Sequence, residues 1–202
     1  MVQASSLTSA DFFLKRWTVD DYHRMISAGI LTPEDRVELL DGQIVEMAPQ
    51  DPPHASRIDD GGDYLKALFA NRAKVRVQLP ITLAPGSEPE PDFAIVRLDE
   101  NRYRDRHPQP QDVLLLIEVS DSTFKRDGSK PALGGQRTHK AQIYARAGIG
   151  EYWIVNIKKR QVVVLQDPQD GSYQSEQTFT KNDQIAPLLL PDVVVNLRHL
   201  IL

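Results

Sequence analysis

An unbroken apolar segment, Val113-Leu114-Leu115-Leu116-Ile117, runs directly into the carboxylate of Glu118. Five consecutive apolar residues are typical of a central strand that other elements cover on both faces. A carboxylate at the end of such a strand has a high desolvation cost unless a partner offsets it. Glu118 is therefore one half of a structural ion pair, a solvent-facing strand end, or part of a chemical site.

Composition excludes several classes of site before any motif is considered. The 202 residues contain 24 Lys+Arg and 28 Asp+Glu, a net charge of −4, and no Cys. Disulfides, thiolate metal sites and Cys nucleophiles are thereby excluded. The mild acidity argues against coating nucleic acid through bulk charge, although it leaves room for a local basic groove. No apolar run approaches the ~18 residues of a membrane span, and the N-terminus lacks a secretory pattern. We therefore expect a cytoplasmic protein with no membrane partner.

Helical and strand patterns follow one another along the chain, which predicts one α/β domain with a mixed sheet. Residues 1–17 lack periodicity and predict a surface arm, followed by a single domain over 18–202. After the first 50 residues the predicted elements are, in chain order, a helix over 54–70, strands over 75–79, 81–83, 93–96 and 113–117, a helix over 137–147, and strands over 152–155, 162–165 and 192–197.

The first 50 residues predict a helix followed by a β-hairpin. Thr18, with an acid three residues later, is typical of a capping box, and the helix that it opens should stop at Gly29. Asp41-Gly42 lies between two strand-like segments and favours a hairpin over 36–47 with a type I′ turn. A helix from Thr32-Pro33 is the alternative for this stretch.

A second acid, Asp92, opens the strand predicted before Glu118. Pro89 and Pro91 favour an extended approach to that strand. Asp92 stands 26 positions before Glu118, which is enough for a strand, a loop and the next strand. Converging carboxylates are typical ligands of Mg²⁺ or Mn²⁺, ions that can polarise a phosphodiester and lower the pKa of bound water. A turn or cap role is the alternative for Asp92.

A lysine on the third predicted helix supplies the basic partner. Lys140 and Tyr144 are four residues apart and share one helix face. Lys140 could stabilise charge on a phosphate or orient the attacking water; a solvated helical lysine is the alternative. Basic residues also cluster in 97–106 and 124–140, where they predict a phosphate-facing rim or ordinary charged loops.

These residues resemble the PD-(D/E)XK nuclease fold in type and order. Pro91-Asp92, Ile117-Glu118-Val119-Ser120 and Lys140-x-x-x-Tyr144 carry the resemblance. More narrowly, the chain from about residue 17 onward is similar to a large, mostly cyanobacterial family of restriction-endonuclease-like proteins. The resemblance implies a single domain whose mixed central sheet is flanked by helices, with an N-terminal helix and hairpin. The other shared segments are Val37–Gly42, Met47–Pro49, His54, Glu118–Thr123 and Tyr144–Val155.

The resemblance also implies specific roles. Asp92 and Glu118 would bind Mg²⁺ or Mn²⁺, with the backbone carbonyl of Val119 as a third ligand. Glu38 would be an early active-site acid, and Lys140 would take the role of the catalytic lysine.

Further positions are implied as accessory, and two depart from the pattern. His54 would start the second helix, and Tyr144 would pack beside Lys140. Ser120 stands where the simple motif has a lysine, so that lysine has moved to the helix or its role is missing. The acidic Gly-Gly stretch over 59–63 predicts a flexible interruption of a helix that the family would make amphipathic.

Three functions follow from different readings of these acids. The first is a metal-dependent endonuclease that hydrolyses DNA, with RNA as a further substrate class and homodimerisation as a way to cut both strands of a duplex. The second is an inactive nuclease-fold protein that binds nucleic acid or a protein partner. The third is a scaffold in which the acids form ordinary ion pairs.

Overall fold

The computed structural model describes residues 14–120 and 135–201, and the side chains of 135–138 lie outside that description. The helices are α1 (Val19–Ser27), α2 (Pro52–Leu68), α3 (Gly135–Arg146) and α4 (Arg198–Ile201). The strands are β1 (Val37–Leu40), β2 (Gln43–Glu46), β3 (Lys74–Val77), β4 (Phe93–Val96), β5 (Val113–Ser120), β6 (Glu151–Asn156), β7 (Gln161–Gln169), β8 (Ser172–Thr180), β9 (Gln184–Ile185) and β10 (Val195–Asn196).

Six strands form a central sheet in the order β3-β4-β5-β6-β7-β8. The β5–β6 pair is parallel and is connected through α3, whereas the other neighbouring pairs are antiparallel. The sheet is thus mixed, as predicted, and β5 is a central strand. β1 pairs with β2, and β9 pairs with β10, in two separate small sheets. No helix in the described ranges is long and apolar enough to cross a membrane.

From Leu115 onward, alternate residues of β5 face opposite sides of the sheet. Ile117 and its odd-numbered neighbours pack with Leu65 of α2 and Leu200 of α4. Leu116 packs on the opposite face with Tyr144 of α3. Since side chains alternate along a strand, Glu118 falls on the α3 face of the sheet.

The predicted capping box and hairpin turn of the first 50 residues are confirmed, whereas residues 1–13 of the predicted surface arm lie outside the described residues. The Thr18 hydroxyl accepts a hydrogen bond from the backbone N–H of Asp21, and the Asp21 carboxylate accepts one back from Thr18 N–H. Asp41 and Gly42 have φ angles of 48° and 73°, the two positive values that a type I′ turn requires. A side chain at Gly42 would place its Cβ 2.9 Å from the Cβ of Arg16. The helical alternative for this stretch is wrong, because it forms β1 and β2.

Helix α2 corrects the expectation of a flexible interruption at 59–63. The helix continues through the stretch, with Gly61 and Gly62 buried and the neighbouring acids exposed. A Cβ at Gly61 would lie 3.2 Å from Cζ of Phe93. The glycines therefore let α2 approach the sheet closely. The helix also begins at Pro52, with Asp51 as its N-cap, two residues before the predicted start.

Two predicted strands are wrong, and one strand of the central sheet was not predicted. Residues 81–83 form an irregular segment with one isolated bridge, from Leu83 to Ser87, because Pro80 and Pro85 bracket it. The predicted strand over 192–197 is only two residues long, at β10. Strand β8 was not predicted, because it is an edge strand whose side chains are mostly exposed and polar.

Candidate active site

The pairing of β4 with β5 brings Asp92 and Glu118 together. Phe93 pairs with Ile117, so the same register continued by one residue places Asp92 opposite Glu118. The backbone N–H of Val119 donates a 2.7 Å hydrogen bond to Oδ2 of Asp92. Side chains opposite each other on antiparallel strands project from the same face of the sheet. The convergence expected from the sequence is therefore present.

Neighbouring side chains fix the orientation of the Asp92 carboxylate. Its Oδ1 accepts a 3.1 Å hydrogen bond from Nε2 of Gln78 and lies 3.5 Å from Nε2 of His54. His54 lies in the first turn of α2, where its backbone N–H donates to Asp51. Asp92 is buried, so these contacts hold its carboxylate in one orientation.

Lys140 reaches from α3 into the space between two glutamates. Its Nζ lies 3.0 Å from Oε2 of Glu38 and 3.1 Å from Oε1 of Glu118, and 12% of its side chain is exposed. One turn later, the Tyr144 hydroxyl donates to the same Oε1 at 3.0 Å. The four-residue spacing thus directs both side chains to Glu118, and the alternative of a solvated Lys140 is wrong.

The cluster contains more buried acid than base. Burial raises the pKa of Glu118 to about 7, and the nearby carboxylates of Asp92 and Glu38 add to the effect against the attraction of Lys140. Burial also disfavours the Lys140 ammonium, but the combined attraction of Glu118 and Glu38 outweighs it and raises the pKa of Lys140. Burial, followed by Glu118, raises the pKa of Tyr144 well above its usual value. Lys140 is therefore a permanent cation at neutral pH, and Tyr144 is a permanent hydrogen-bond donor.

Lys140 and the carboxylates around it line a cavity of about 340 Å³ that is open to solvent, whereas Tyr144 lies behind its wall. Its walls carry an excess of carboxylates, which makes the cavity attractive to a cation. The charged or titratable lining residues are Arg36, Glu38, Asp51, His54, Glu90, Asp92, Glu118 and Lys140.

The three acids named from the sequence do not form one compact ligand set. Among the described residues, Glu38, Asp92 and Glu118 are not a group whose ligand atoms all lie within 4.8 Å of one another. Lys140 lies between Glu38 and Glu118, which separates them. The geometry places Asp92 and Glu118 together and sets Glu38 on the far side of the lysine.

Two residues of the site were missed by the sequence analysis. Glu90 lines the cavity, and its backbone N–H donates to Oε2 of Glu38 at 3.0 Å. Its position between Pro89 and Pro91 is a signal that could have been used. Gln78, with a positive φ of 48°, follows β3 with no pattern that marks it.

The arginines of 97–106, predicted as part of a basic rim or as ordinary charged loops, lie away from the acidic cavity. Asp92 precedes β4 and Arg97 follows it, so five residues of extended chain separate their backbones by about 16 Å. Arg106 pairs with Asp112 and Asp99, and no arginine of this loop lines the cavity. Residues 124–134 and the side chain of Arg137 lie outside the described residues.

Ser120 follows Glu118 and Val119 in β5 but does not line the cavity. It is fully buried, and its carbonyl accepts a hydrogen bond from Ile157. The Nζ of Lys140 contacts Glu118 from α3.

Comparison with known proteins identifies the fold and the family of the chain. No curated protein matches the chain. The crystal structure of "a putative nuclease belonging to DUF820" from Anabaena variabilis ATCC 29413 matches with a TM-score of 0.66 and 15% identity, over 91% of this chain and 96% of that one. The fold is therefore restriction-endonuclease-like, as expected. The sequence matches Uma2, described as "Putative restriction endonuclease", over residues 19–198. With this match spanning most of its length, the chain belongs to the Uma2 family of restriction-endonuclease-like proteins.

Proposed function

We propose that the chain is a metal-dependent endonuclease that hydrolyses DNA phosphodiester bonds in the acidic cavity. One observation carries this proposal: Asp92 and Glu118 meet at the ends of paired strands, and the ammonium of Lys140 contacts Glu118. Two carboxylates beside a fixed cation suit a reaction in which a phosphate gains negative charge. The family description supports the same reaction class.

The donor set fits Mg²⁺ or Mn²⁺. Asp92 and Glu118 supply hard carboxylate oxygens, and Oε2 of Glu118 accepts no hydrogen bond from any residue in the described ranges. The N–H and C=O of a strand residue point to the same side, so the carbonyl of Val119 faces the same edge as its N–H, which bonds to Asp92. These three groups would hold the ion, which when bound polarises the phosphodiester and lowers the pKa of water.

The side chains around the ligands have separate roles. Lys140 stays protonated and so acts as an electrostatic stabiliser of the phosphate rather than as a base. Glu38 is a positioning residue: it holds Lys140 from the other side and is itself held by the backbone of Glu90. Tyr144 orients Glu118 by donating to Oε1.

The charge of the cavity explains why metal would be required before a nucleic acid can approach. A phosphate is repelled by the acids until a divalent cation offsets them. The bound ion and Lys140 then present positive charge to one phosphate at a time, which suits weak or selective engagement of DNA. We expect this activity in the cytoplasm, with RNA as the substrate class to be compared with DNA.

The proposal is tested by incubating the full chain with supercoiled, linear and single-stranded DNA and with RNA, in Mg²⁺, Mn²⁺ or EDTA. We expect cleavage of DNA that requires metal and that falls at least ~100-fold in Asp92→Asn and Glu118→Gln. Asp63→Asn, at an acid that is 81% exposed on α2, is the matched control and should cut normally. The proposal fails if no substrate is cut with either metal, or if Asp92→Asn retains full activity.

A second function is favoured by one observation. Lys140 is bound between two glutamates, and such an ion triad can be structural, leaving a fold that only binds nucleic acid. This alternative predicts metal-dependent, salt-sensitive DNA binding that Asp92→Asn weakens, without turnover of any substrate. Filter binding beside the cleavage assay separates the two functions.

A further inference from the structure

Two histidines and a glutamate converge outside the acidic cavity. Nε2 of His23 lies 2.7 Å from Oε1 of Glu88, and a ligand atom of each of His23, Glu88 and His107 lies within 4.8 Å of the other two. Within the part of the chain that the structure describes, this is the group of three His, Asp or Glu side chains that meets this distance. None of these three residues lines the acidic cavity.

The three side chains come from different elements and are held in place. His23 lies on α1, Glu88 lies between β3 and β4, and His107 lies in the loop between β4 and β5. Glu88 is 3% exposed, and its Oε2 accepts a 2.6 Å hydrogen bond from the Thr82 hydroxyl. The Thr82 backbone N–H donates to Pro108, next to His107.

This arrangement has the form of a metal site with a supporting outer partner. A hydrogen bond that orients a ligating carboxylate is a usual outer contact of protein metal centres. Here Thr82 takes one oxygen of Glu88 and thereby directs the other to His23.

Two imidazoles and one carboxylate select a different ion from the acidic cavity. Imidazole suits Zn²⁺, Ni²⁺ or Cu²⁺, whereas Mg²⁺ prefers oxygen ligands. Tetrahedral Zn²⁺ with bonds of about 2.1 Å places its ligand atoms about 3.4 Å apart. The 2.7 Å between His23 and Glu88 is shorter than this value, and a rotation of the half-exposed His23 side chain would open it. An adjoining cavity of about 320 Å³ leaves room for a water as the fourth ligand.

We infer that His23, Glu88 and His107 form a second metal site, which binds Zn²⁺ or a similar borderline divalent cation. A bound ion would fasten α1 and the loop after β4 to the segment that leads into Asp92. That segment also carries Glu90, whose backbone N–H holds Glu38 beside Lys140. The site is therefore placed to stabilise the wall of the acidic cavity without taking part in its chemistry.

The site is tested by titrating Zn²⁺ into the full, EDTA-treated and dialysed chain, with excess Mg²⁺ present to occupy the acidic cavity. We expect one tightly bound Zn²⁺ per chain, and affinity at least ~10-fold lower in His23→Ala and in His107→Ala. His199→Ala is the matched control, because this histidine stacks on Tyr64 near the C-terminus, and should bind as the wild type does. Co²⁺ in place of Zn²⁺ should give a tetrahedral visible spectrum that the same two variants lose.

A milder variant separates the loss of metal binding from a failure of the chain to fold. Thr82→Val keeps the side-chain shape but removes the hydrogen bond to Glu88, so we expect Zn²⁺ affinity to fall about 10- to 100-fold. The metal-free variant should still unfold cooperatively in urea, at a somewhat lower midpoint. The inference is overturned if wild type, His23→Ala and His107→Ala bind Zn²⁺ equally. It is also overturned if binding is lost in His54→Ala instead, since the ion would then lie at Asp92.

Discussion

Lys140 is the cation on which two buried glutamates depend. Removing one partner of a buried ion pair leaves uncompensated charge and costs about 3–5 kcal/mol. Lys140→Met keeps the length of the side chain but leaves Glu38 and Glu118 without their cation. We therefore expect the free energy of unfolding to fall by about 3–5 kcal/mol at pH 8. Urea denaturation measures it. Lys66→Met, at an exposed lysine of α2, should change stability by less than ~0.5 kcal/mol, and equal stability of the two variants would refute the dependence.

Glu118 gives the stability of the metal-free chain a predictable pH dependence. Burial raises its pKa from 4.5 to about 7, so the folded state binds this proton more tightly than the unfolded state does. The resulting stabilisation is fully present below pH 4.5 and is lost as the pH rises through about 7. Glu118→Gln cannot titrate, so its stability relative to wild type should grow across this window, by on the order of 3 kcal/mol.

Urea denaturation in EDTA at several pH values between 4 and 8 measures this difference. Glu46→Gln, at an exposed acid of β2, is the control and should run parallel to wild type. Parallel curves for Glu118→Gln and wild type would show that Glu118 is already ionised in the folded chain.

The sequence predicts those residues of the site that a local pattern marks, and it misses those that join the site through long-range contacts. Asp92 and Glu118 flank apolar strands, and Lys140 and Tyr144 share a helix face, so period and spacing were enough to place them. Glu90 enters the site through its backbone contact with Glu38, and that contact joins positions 52 residues apart. No local pattern encodes such a long-range hydrogen bond.

At the scale of elements, two adjacent glycines of α2 should respond in opposite directions to replacement by alanine. Replacing a helical glycine by alanine gains up to ~1 kcal/mol of helix propensity. A Cβ at Gly62 meets Cγ2 of Val77 at 3.4 Å, an ordinary contact, so Gly62→Ala should be stabilising by about 0.5–1 kcal/mol. A Cβ at Gly61 meets the buried ring of Phe93 at 3.2 Å, which is too close, so Gly61→Ala should lose this gain or destabilise the chain. Thermal unfolding of both variants decides, and an equal gain would mean that α2 does not need glycine to approach β4.

The sequence predicts a strand correctly where its apolar residues follow the pattern that the strand's burial in the fold requires. β5 and the β1–β2 hairpin carry continuous apolar runs or a diagnostic turn, and they were placed correctly. β8 lies at the edge of the sheet and exposes most of its polar side chains, so its strand identity comes from pairing with β7 rather than from its own pattern. In α2 the exposed acids on either side of Gly61 and Gly62 suggest a flexible loop, whereas the burial of the two glycines against the sheet is a tertiary contact that the local sequence does not show.

For the whole molecule, part of the net charge of −4 is concentrated in the candidate active site. Five carboxylates line the candidate active site against Arg36 and Lys140, so part of the acidity is a cation-binding cavity rather than a diffuse surface. The arginines of 97–106 lie elsewhere, and contact with DNA at this cavity would rest on bound metal and on Lys140. Homodimerisation stays a prediction from the sequence, since no second copy of the chain is described.

Metal binding at this cavity should stabilise the whole fold. A ligand that binds only the folded state adds about 2.7 kcal/mol at 100 times its Kd, and for a chain of this size 1 kcal/mol raises Tm by about 2–4 °C. Saturating Mg²⁺ should therefore raise the Tm of wild type by roughly 5–10 °C. Asp92→Asn, which removes a ligand, should show no rise, whereas Asp63→Asn and His107→Ala, which lie outside the cavity, should keep it. Differential scanning calorimetry with and without Mg²⁺ measures the shift, and an equal rise in Asp92→Asn would place the ion elsewhere.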